Sequence, residues 1–148
     1  MLKLTTRIHY SVKALLDLSL QPAGTAASVQ AICKRQSLPA PYLEKLLIEL
    51  RRGGIVCSSR GAQGGYSLAR SPQEISLAQI LEAVGETLSP ILETEPQAAQ
   101  VEDWVTYSLW FRLNLKLTEA LEKISLEDLY YDARSWQASQ GEESNFIV

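Results

Sequence analysis

The chain has 148 residues, 46 % of them hydrophobic, and a formal net charge of −3. This length and composition predict one packed domain, or one small domain with an appendage, and argue against wholesale disorder. The longest apolar runs are only a few residues, so we expect no membrane-spanning helix, no signal peptide and a cytoplasmic location. Two cysteines without a secretion signal argue against a disulfide scaffold.

The net charge hides a division between the two halves of the chain. Residues 1–72 carry ten Lys or Arg and three acidic residues, a net charge of +7. Residues 73–148 carry four Lys or Arg and fourteen acidic residues, a net charge of −10. A basic half joined to an acidic half indicates that the first half meets a polyanion, although a chance distribution of solubilising charges would give the same values.

Helical spacing and capping residues predict three helices in the basic half. The first runs over 5–20, where Thr5 or Thr6 can cap its start, the second follows Ser28 as its N-cap, and the third runs over 40–52. Pro41 fits the first turn of the third helix, where backbone N–H groups have no intrahelical partner. Two glycines end this helix. Its inward stripe is expected to comprise Leu43, Leu46, Leu47 and Leu50.

Two short strands are predicted next, over 55–57 and 66–69, at the two ends of the glycine loop in "SSRGAQGGYSLAR". This loop lacks the lysine and hydroxyl residue of a phosphate-binding loop and leads into a strand, so a hairpin is favoured over a nucleotide site. Tyr66 is expected to pack the second strand onto the helices. Positive φ angles are expected at the hairpin tip, for Gly61, Gly64 and Gly65.

The acidic half is predicted to be helical apart from one irregular segment. "SLAQILEAVG" begins with a Ser76/Gln79 capping box. A long helix is expected over 101–123, and Ser125 with Asp128 caps a short last helix. The predicted organisation is a first domain at 1–85, a linker loop at 86–100, a long and a terminal helix at 101–134, and a frayed polar tail at 135–148.

This order of elements is typical of a winged helix-turn-helix domain, so the predicted fold class is mostly α with a small β-hairpin. A helix is narrow enough to enter the major groove of B-DNA, and the helix before it braces it across the backbone. A hairpin beside them reaches the neighbouring groove or phosphates. No enzyme activity is expected, because His9 is the only histidine and has no apparent Ser or Asp partner.

Five stretches carry a resemblance to a known family. "LTTRIHYSVKALLDLSL", "ICKRQSLPAPYLEKLLIELRRGGIV", "SSRGAQGGYSLAR" and "ISLAQILEAVGETL" together resemble the IscR/NsrR/CymR family of bacterial winged helix-turn-helix regulators. "YSLWFRLNLKLTEALEKISLEDL" is similar to the family's dimerisation helix and terminal turn. The resemblance covers about residues 2–133. It implies a homodimeric transcription regulator that binds double-stranded operator DNA, with the third helix as recognition helix and the hairpin as wing.

The resemblance also indicates which residues face DNA, although a merely solvated helix face would show the same residue types. Lys45 can donate to guanine or phosphate, and Glu44 can accept from the cytosine amino group. Arg60 matches the family's wing arginine. Pro41 replaces a small polar residue that is common in relatives, so the operator sequence does not transfer. The predicted DNA-binding set is Ala40, Pro41, Tyr42, Glu44, Lys45, Arg51, Arg52, Arg60, Gly61 and Gly64, of which the two arginines ending the helix are expected at phosphates.

The resemblance implies a member without an iron–sulfur site. Cluster-binding relatives place three cysteines in the segment that corresponds to 87–104, which contains none here. Clusters are held mainly by thiolates, and Tyr107, near the position of a further histidine ligand in some relatives, is a poor replacement. His9, which lies near another ligand position of some relatives, is expected to be an ordinary histidine. We therefore expect no metal and no cofactor.

The two cysteines, Cys33 and Cys57, are expected to be small buried hydrophobic residues. A redox-sensing thiol is the alternative. The basic neighbours Lys34 and Arg35 would favour the thiolate of Cys33 if its side chain were exposed.

The long helix is apolar on two sides. One stripe consists of Val105, Leu109, Leu113, Leu117, Leu121 and Ile124. A roughly opposite face carries Val101, Trp104, Phe111 and Leu115. A helix that is apolar on two sides must bury both, and a domain of this size offers only one covering surface. The second face therefore predicts a partner chain, although a helix sunk in its own core would show the same pattern.

These observations favour a cytoplasmic, homodimeric transcription regulator that binds operator DNA and lacks the cluster site. The alternatives are a winged-helix protein-interaction module and a thiol-based regulator that signals through Cys33 or Cys57. An unknown protein or small-molecule effector is compatible with all three. The operator sequence, the signal and the sign of regulation do not follow from the sequence.

Overall fold

The computed structural model describes residues 5–86, 95–97 and 100–146, the side chains of 142–146 excepted. Ten of the fifteen residues of the predicted linker at 86–100 lie outside the described residues. None of the helices in the described ranges is long and apolar enough to cross a membrane. The elements are α1 (Thr6–Leu20), α2 (Val29–Gln36), α3 (Ala40–Arg52), β1 (Val56–Ser59), β2 (Gly65–Leu68), α4 (Leu77–Ala83), α5 (Val101–Lys123) and α6 (Leu126–Phe146), with a 3₁₀ turn at Pro72–Glu74.

The mostly helical fold with one antiparallel hairpin confirms the predicted class, and side-chain caps begin the helices as expected. The hydroxyls of Thr5 and Ser28 each accept a hydrogen bond from the backbone N–H three residues on, at 3.3 and 3.1 Å. Ser76 and Gln79 form the predicted capping box, with distances of 3.0 and 3.2 Å. Each cap satisfies a backbone N–H that has no partner within its own helix.

The core lies between the first three helices and the base of the hairpin. The four leucines of the predicted α3 stripe are at most 2 % exposed. Leu15 of α1 and Ile32 of α2 are fully buried in the same cluster. Ser37 adopts a left-handed conformation (φ 55°, ψ 48°) between α2 and α3, and this makes the connection tight. α3 is therefore fixed on its inner face and free on its outer face.

A buried carboxylate joins α1 to α2. Asp17 is 2 % exposed and accepts hydrogen bonds from Nε and Nη2 of Arg35, at 2.9 and 2.8 Å. The amide nitrogen of Gln36 donates a third hydrogen bond at 2.9 Å. The hydrogen bond to Asp17 raises the pKa of Arg35. These contacts hold the end of α2, and with it the turn into α3, against α1.

The hairpin strands are displaced from the predicted ranges. Val56 pairs with Leu68 and Ser59 with Gly65, so the polar serines belong to β1. Ile55 lies outside the strand, because its N–H bonds to the carbonyl of Leu50 at the end of α3. Backbone pairing, rather than side-chain polarity, decides where these strands end. Ala27 forms an additional antiparallel bridge with Tyr66, with distances of 2.8 and 2.9 Å.

A second bridge attaches the long helix to the domain. The N–H of Leu77 donates to the carbonyl of Ile124 at 2.9 Å, and the N–H of Leu126 donates to the carbonyl of Ile75 at 2.8 Å. Leu126 is fully buried. The junction between α5 and α6 is thus held by backbone hydrogen bonds to the start of α4.

The last helix is longer than the sequence predicted. Ser125 and Asp128 cap it reciprocally, at 2.9 and 3.2 Å, but α6 continues to Phe146 instead of fraying after residue 134. The segment from Ser135 is polar but contains no proline, and extending an existing helix is much cheaper than nucleating one. Polarity alone was therefore a poor guide to where this helix ends.

We predict that Asp17→Asn lowers the free energy of unfolding by about 2 kcal/mol, because the charge-assisted hydrogen bonds to Arg35 are lost. The Arg35 side chain is 38 % exposed, so solvent compensates part of the loss and keeps it below that of a fully buried pair. Urea denaturation followed by circular dichroism measures the effect. Asp132→Asn, at an exposed position of α6, is the control and should stay within about 0.5 kcal/mol. Equal effects of the two substitutions would contradict this role of Asp17.

Candidate nucleic-acid interface

The outer face of α3 presents polar side chains at its first turns. Pro39 is the N-cap, and Pro41 occupies the first turn without loss of an intrahelical hydrogen bond. Pro41, Glu44 and Lys45 are exposed, and Ala40 is half-buried. The spacing of Pro41, Glu44 and Lys45 places them on one side of the helix, away from the buried leucines. This side offers a donor, an acceptor and an apolar surface within two turns.

Tyr42 differs from its neighbours on α3. Its side chain is half-buried and packs against the core cluster. Its ring meets the ring of Tyr10 edge-on, with centroids 5.7 Å apart and planes at 84°. The sequence placed Tyr42 with Lys45 in the predicted DNA-binding set. The structure shows that Tyr42 also packs the start of α3 against α1, so only part of its side chain is accessible.

The tip of the hairpin depends on three glycines for two different reasons. Gly61 has a φ of 106° with open space around it, and Gly65 has a φ of 149°. A Cβ on Gly65 would also lie 2.3 Å from the carbonyl oxygen of Ala27. The prediction of a positive φ for Gly64 was wrong. Gly64 is required because a Cβ there would lie 2.5 Å from the carbonyl oxygen of Ser59.

The hairpin carries basic side chains outward beside α3. Arg60 is exposed at the end of β1. Arg51, also exposed, donates from Nη1 to the hydroxyl of Ser58 at 3.4 Å, so it lies on the hairpin side of α3. Tyr66 packs on the core cluster, as the sequence predicted. The hairpin is therefore anchored at its base, while its tip remains accessible.

Arg51 and Arg52 point to different parts of the surface. Arg52 is exposed, but it lines a cleft with residues of α1 and α4 rather than the hairpin. Successive residues of a helix are about 100° apart, which explains why neighbours in sequence serve different surfaces. The sequence grouped the two as phosphate contacts, and the structure separates them.

The two cysteines occupy different environments, and neither is fully buried. Cys57 is exposed, which contradicts the prediction that it is a buried hydrophobic residue. Only Val56 of β1 faces the core, whereas the other three residues of the strand are exposed. Cys33 is half-buried on α2, and desolvation raises the pKa of its thiol. The thiolate-favouring effect of its basic neighbours was expected only for an exposed side chain, and burial instead disfavours the thiolate.

Over its first fifteen residues, α5 carries apolar side chains on two faces that no described part of the chain fully covers. The side chains of the predicted dimerisation set are between 39 % and 74 % exposed at Val101, Trp104, Val105, Leu109, Phe111, Leu113 and Leu115. Leu117 and Leu121 pack beside Ile8 and Leu81. The sequence predicted that the chain's own domain would cover one of the two faces. The structure shows such packing near the C-terminal end of α5, because the helix extends beyond the domain.

Sequence reasoning missed several surface residues. Tyr131 and Trp136 of α6 are 59 % and 66 % exposed, and the expected short helix gave no reason to single them out. Arg7 and Arg70 lie in the same cleft as Arg52. Arg7 lies on α1 and Arg70 lies after β2, so no local pattern could have grouped them with Arg52. His9 is exposed on α1.

Comparisons with known proteins agree with this architecture. The Rrf2 family model, described as an iron-dependent transcriptional regulator, matches residues 4–132. A Synechocystis protein named as an HTH-type transcriptional regulator is 60 % identical over 147 residues, covering 99 % of this chain and 100 % of that protein. The structure is similar to CymR, the global cysteine regulator of B. subtilis, with a TM-score of 0.78, 30 % identity, and coverage of 88 % of this chain and 98 % of CymR. T. potens IscR gives a TM-score of 0.74, 38 % identity and coverage of 92 % and 91 %.

The metal-ligating side chains of the chain do not fit the iron–sulfur cluster that is found in some relatives of the family it resembles. Within residues 5–86, 95–97 and 100–141, no group of three or more His, Cys, Asp or Glu side chains is arranged to hold a metal ion. The two cysteines lie on α2 and β1, and the segment 87–104, part of which lies outside the described ranges, contains none. Because clusters are held mainly by thiolates, this segment lacks the ligands for one.

Proposed function

Because the chain belongs to the Rrf2 family of transcriptional regulators, we propose that it binds operator DNA in the cytoplasm as a homodimer and lacks the cluster site of its iron–sulfur relatives. The observation that carries this proposal is the exposed start of α3 beside an arginine-bearing hairpin, in a half of the chain with a net charge of +7. Positive charge on the elements that reach the groove is the electrostatic signature of a DNA-binding surface.

α3 enters the major groove by its first turns. Lys45 donates to guanine or to a phosphate, and Glu44 accepts from the amino group of cytosine. Pro41 contributes an apolar contact only, since its ring has no polar atom. The three side chains are free to do this because the leucines on the opposite side of α3 hold it on the core. Arg51 and the wing arginine, Arg60, supply phosphate contacts that position the helix.

α5 joins two chains. Its exposed leucines and aromatic residues over 101–115 form an apolar surface. A large exposed apolar surface on a protein marks an interaction site. A second α5 packed against it buries the same residues on both chains, as a two-fold interface requires. Each large apolar side chain that is now about half-exposed contributes about 1 kcal/mol when it becomes fully buried. Two copies of α3 are then presented to two half-sites of the operator.

We predict that Arg60→Ala reduces the salt dependence of DNA binding. If Arg60 neutralises one phosphate, the slope of log affinity against log salt concentration falls by about one. Fluorescence anisotropy with a duplex selected from a random pool, repeated at several salt concentrations, measures the slope. The unfolding transition should not change, because the Arg60 side chain is exposed.

Lys123→Ala is the matched control for Arg60→Ala. It removes one exposed positive charge from the last turn of α5, far from the hairpin in sequence. Its slope should equal that of the unmodified protein. Equal slopes for all three proteins would contradict a phosphate contact by Arg60. A protein that ignores duplex DNA even at low salt would favour the protein-interaction module instead.

We predict that Leu113→Glu converts the dimer into a monomer. Leu113 is 50 % exposed in the single chain, and a carboxylate there would have to be desolvated inside the interface. Sedimentation velocity at micromolar concentration should show half the mass of the unmodified protein. Leu113→Met is the control, because it keeps an apolar side chain of similar volume and should remain dimeric. An unmodified protein that sediments as a monomer would exclude the homodimer.

A further inference from the structure

A cleft of about 670 Å³ lies where the start of α1, the end of α3 and the end of α4 meet. Three arginines line it: Arg7, Arg52 and Arg70. Two carboxylates, Glu49 and Glu82, lie on its walls. These residues come from four parts of the chain, so the fold, rather than any local motif, assembles the site.

The three arginines are not equally engaged within the protein. Arg7 donates from Nη1 to the carbonyl of Val84 at 2.7 Å and lies 3.5 Å from a carboxylate oxygen of Glu49. Arg7 therefore fastens the end of α4 to α1. In contrast, Nε of Arg70 is buried without a hydrogen-bond partner among the described residues. Within the same ranges, no hydrogen bond or ion pair joins the guanidinium group of Arg52 to another residue. The cleft is thus lined by two guanidinium groups, those of Arg52 and Arg70, that form no ion pair with a described residue.

We propose that this cleft is a binding site for a small oxyanion, a molecule that carries a carboxylate or phosphate group, held by Arg52 and Arg70. The planar guanidinium group binds such anions through paired hydrogen bonds. The amide of Gln79, another lining residue, accepts a hydrogen bond from Ser76 through its oxygen, which leaves its nitrogen as a further donor. Arg7 holds the wall of the site rather than the ligand.

The lining of the cleft favours a small anion over the backbone of DNA. Glu49 and Glu82 repel any anion, but the repulsion is larger for a polyanion with many phosphates along the surface than for a small ligand with one or two charges. Arg52, which lines the cleft, also lies seven residues beyond Lys45, about 10 Å along the axis of α3. Gly53 lets the end of α3 pack closely against α4, because a Cβ there would lie 2.7 Å from the Cβ of Ala83.

Because of the position of the cleft, a bound anion would affect the elements that carry the DNA-binding surface. The cleft joins the end of the recognition helix to the end of α4, whose start is hydrogen-bonded to the junction of α5 and α6. An anion bridging Arg52 and Arg70 would link the end of α3 to the end of β2. This regulatory role rests on the proposed function, whereas the binding site itself does not.

The site is tested by titrating the protein, without DNA, with sodium phosphate and with sodium succinate at an ionic strength held constant with sodium chloride. Isothermal titration calorimetry should show saturable binding of at least one of the two. Arg52→Gln and Arg70→Gln should each weaken it by about tenfold, the loss expected for a charge-assisted hydrogen bond. Glu82→Gln should tighten it by about threefold, because a repulsive charge is removed. A merely structural disturbance would not strengthen binding.

Arg51→Gln is the matched control, since it removes the same charge one residue away, on the hairpin side of α3. It should leave the anion affinity unchanged. Absence of saturable binding, or equal weakening by Arg51→Gln and Arg52→Gln, would overturn the site. A fall of about one in the DNA salt slope for Arg52→Gln or Arg70→Gln would assign that arginine to a DNA phosphate and would also overturn it. Failure of the protein to bind DNA would contradict the proposed function and leave the calorimetric result standing.

Discussion

A helix that is apolar on two faces must cover both, and among the described residues the core packing of α5 lies near its C-terminal end, at Leu117 and Leu121. In the isolated chain, the apolar side chains over 101–115 therefore remain exposed to solvent. In the dimer that we propose, a second copy covers them by burying the same leucines and aromatic residues from both sides. The two-fold axis of the proposed dimer would determine how far apart the two copies of α3 lie, and with it the half-site spacing that an operator must offer. In this proposal the DNA-binding geometry depends on hydrophobic burial at a distance from DNA.

A few polar contacts within the domain connect α5 to α3. The bridge between Ser76 and Ser125 fixes the end of α5 to the start of α4, and Arg7 fixes the end of α4 to α1. Asp17 then holds α2 against α1, and α3 follows after a tight turn. Each contact is hydrogen-bonded and partly or fully buried, so none rearranges without a cost. A ligand in the cleft between α3 and α4 would bind beside Arg7, which makes one of these contacts.

Features that depend on neighbours in sequence could be predicted from the sequence. The caps at Thr5, Ser28 and Ser76 and the leucine stripe of α3 were confirmed, because spacing and side-chain chemistry decide them locally. Features that depend on contacts with residues distant in sequence could not be predicted. Cys57 looked like a core residue until the strand placed it on the outer face, and Tyr42 looked exposed until Tyr10 packed against it. The cleft could not be predicted, because its arginines are separated by up to 63 positions.

Hydroxyl-radical footprinting on a duplex selected from a random pool tests the central claim most directly, because it reports DNA binding and two-fold symmetry together. The account predicts two protected blocks on one side of the duplex, related by a two-fold axis and separated by one or two helical turns, about 35 Å for each turn. A single asymmetric block, or no protection on any selected duplex, would contradict it.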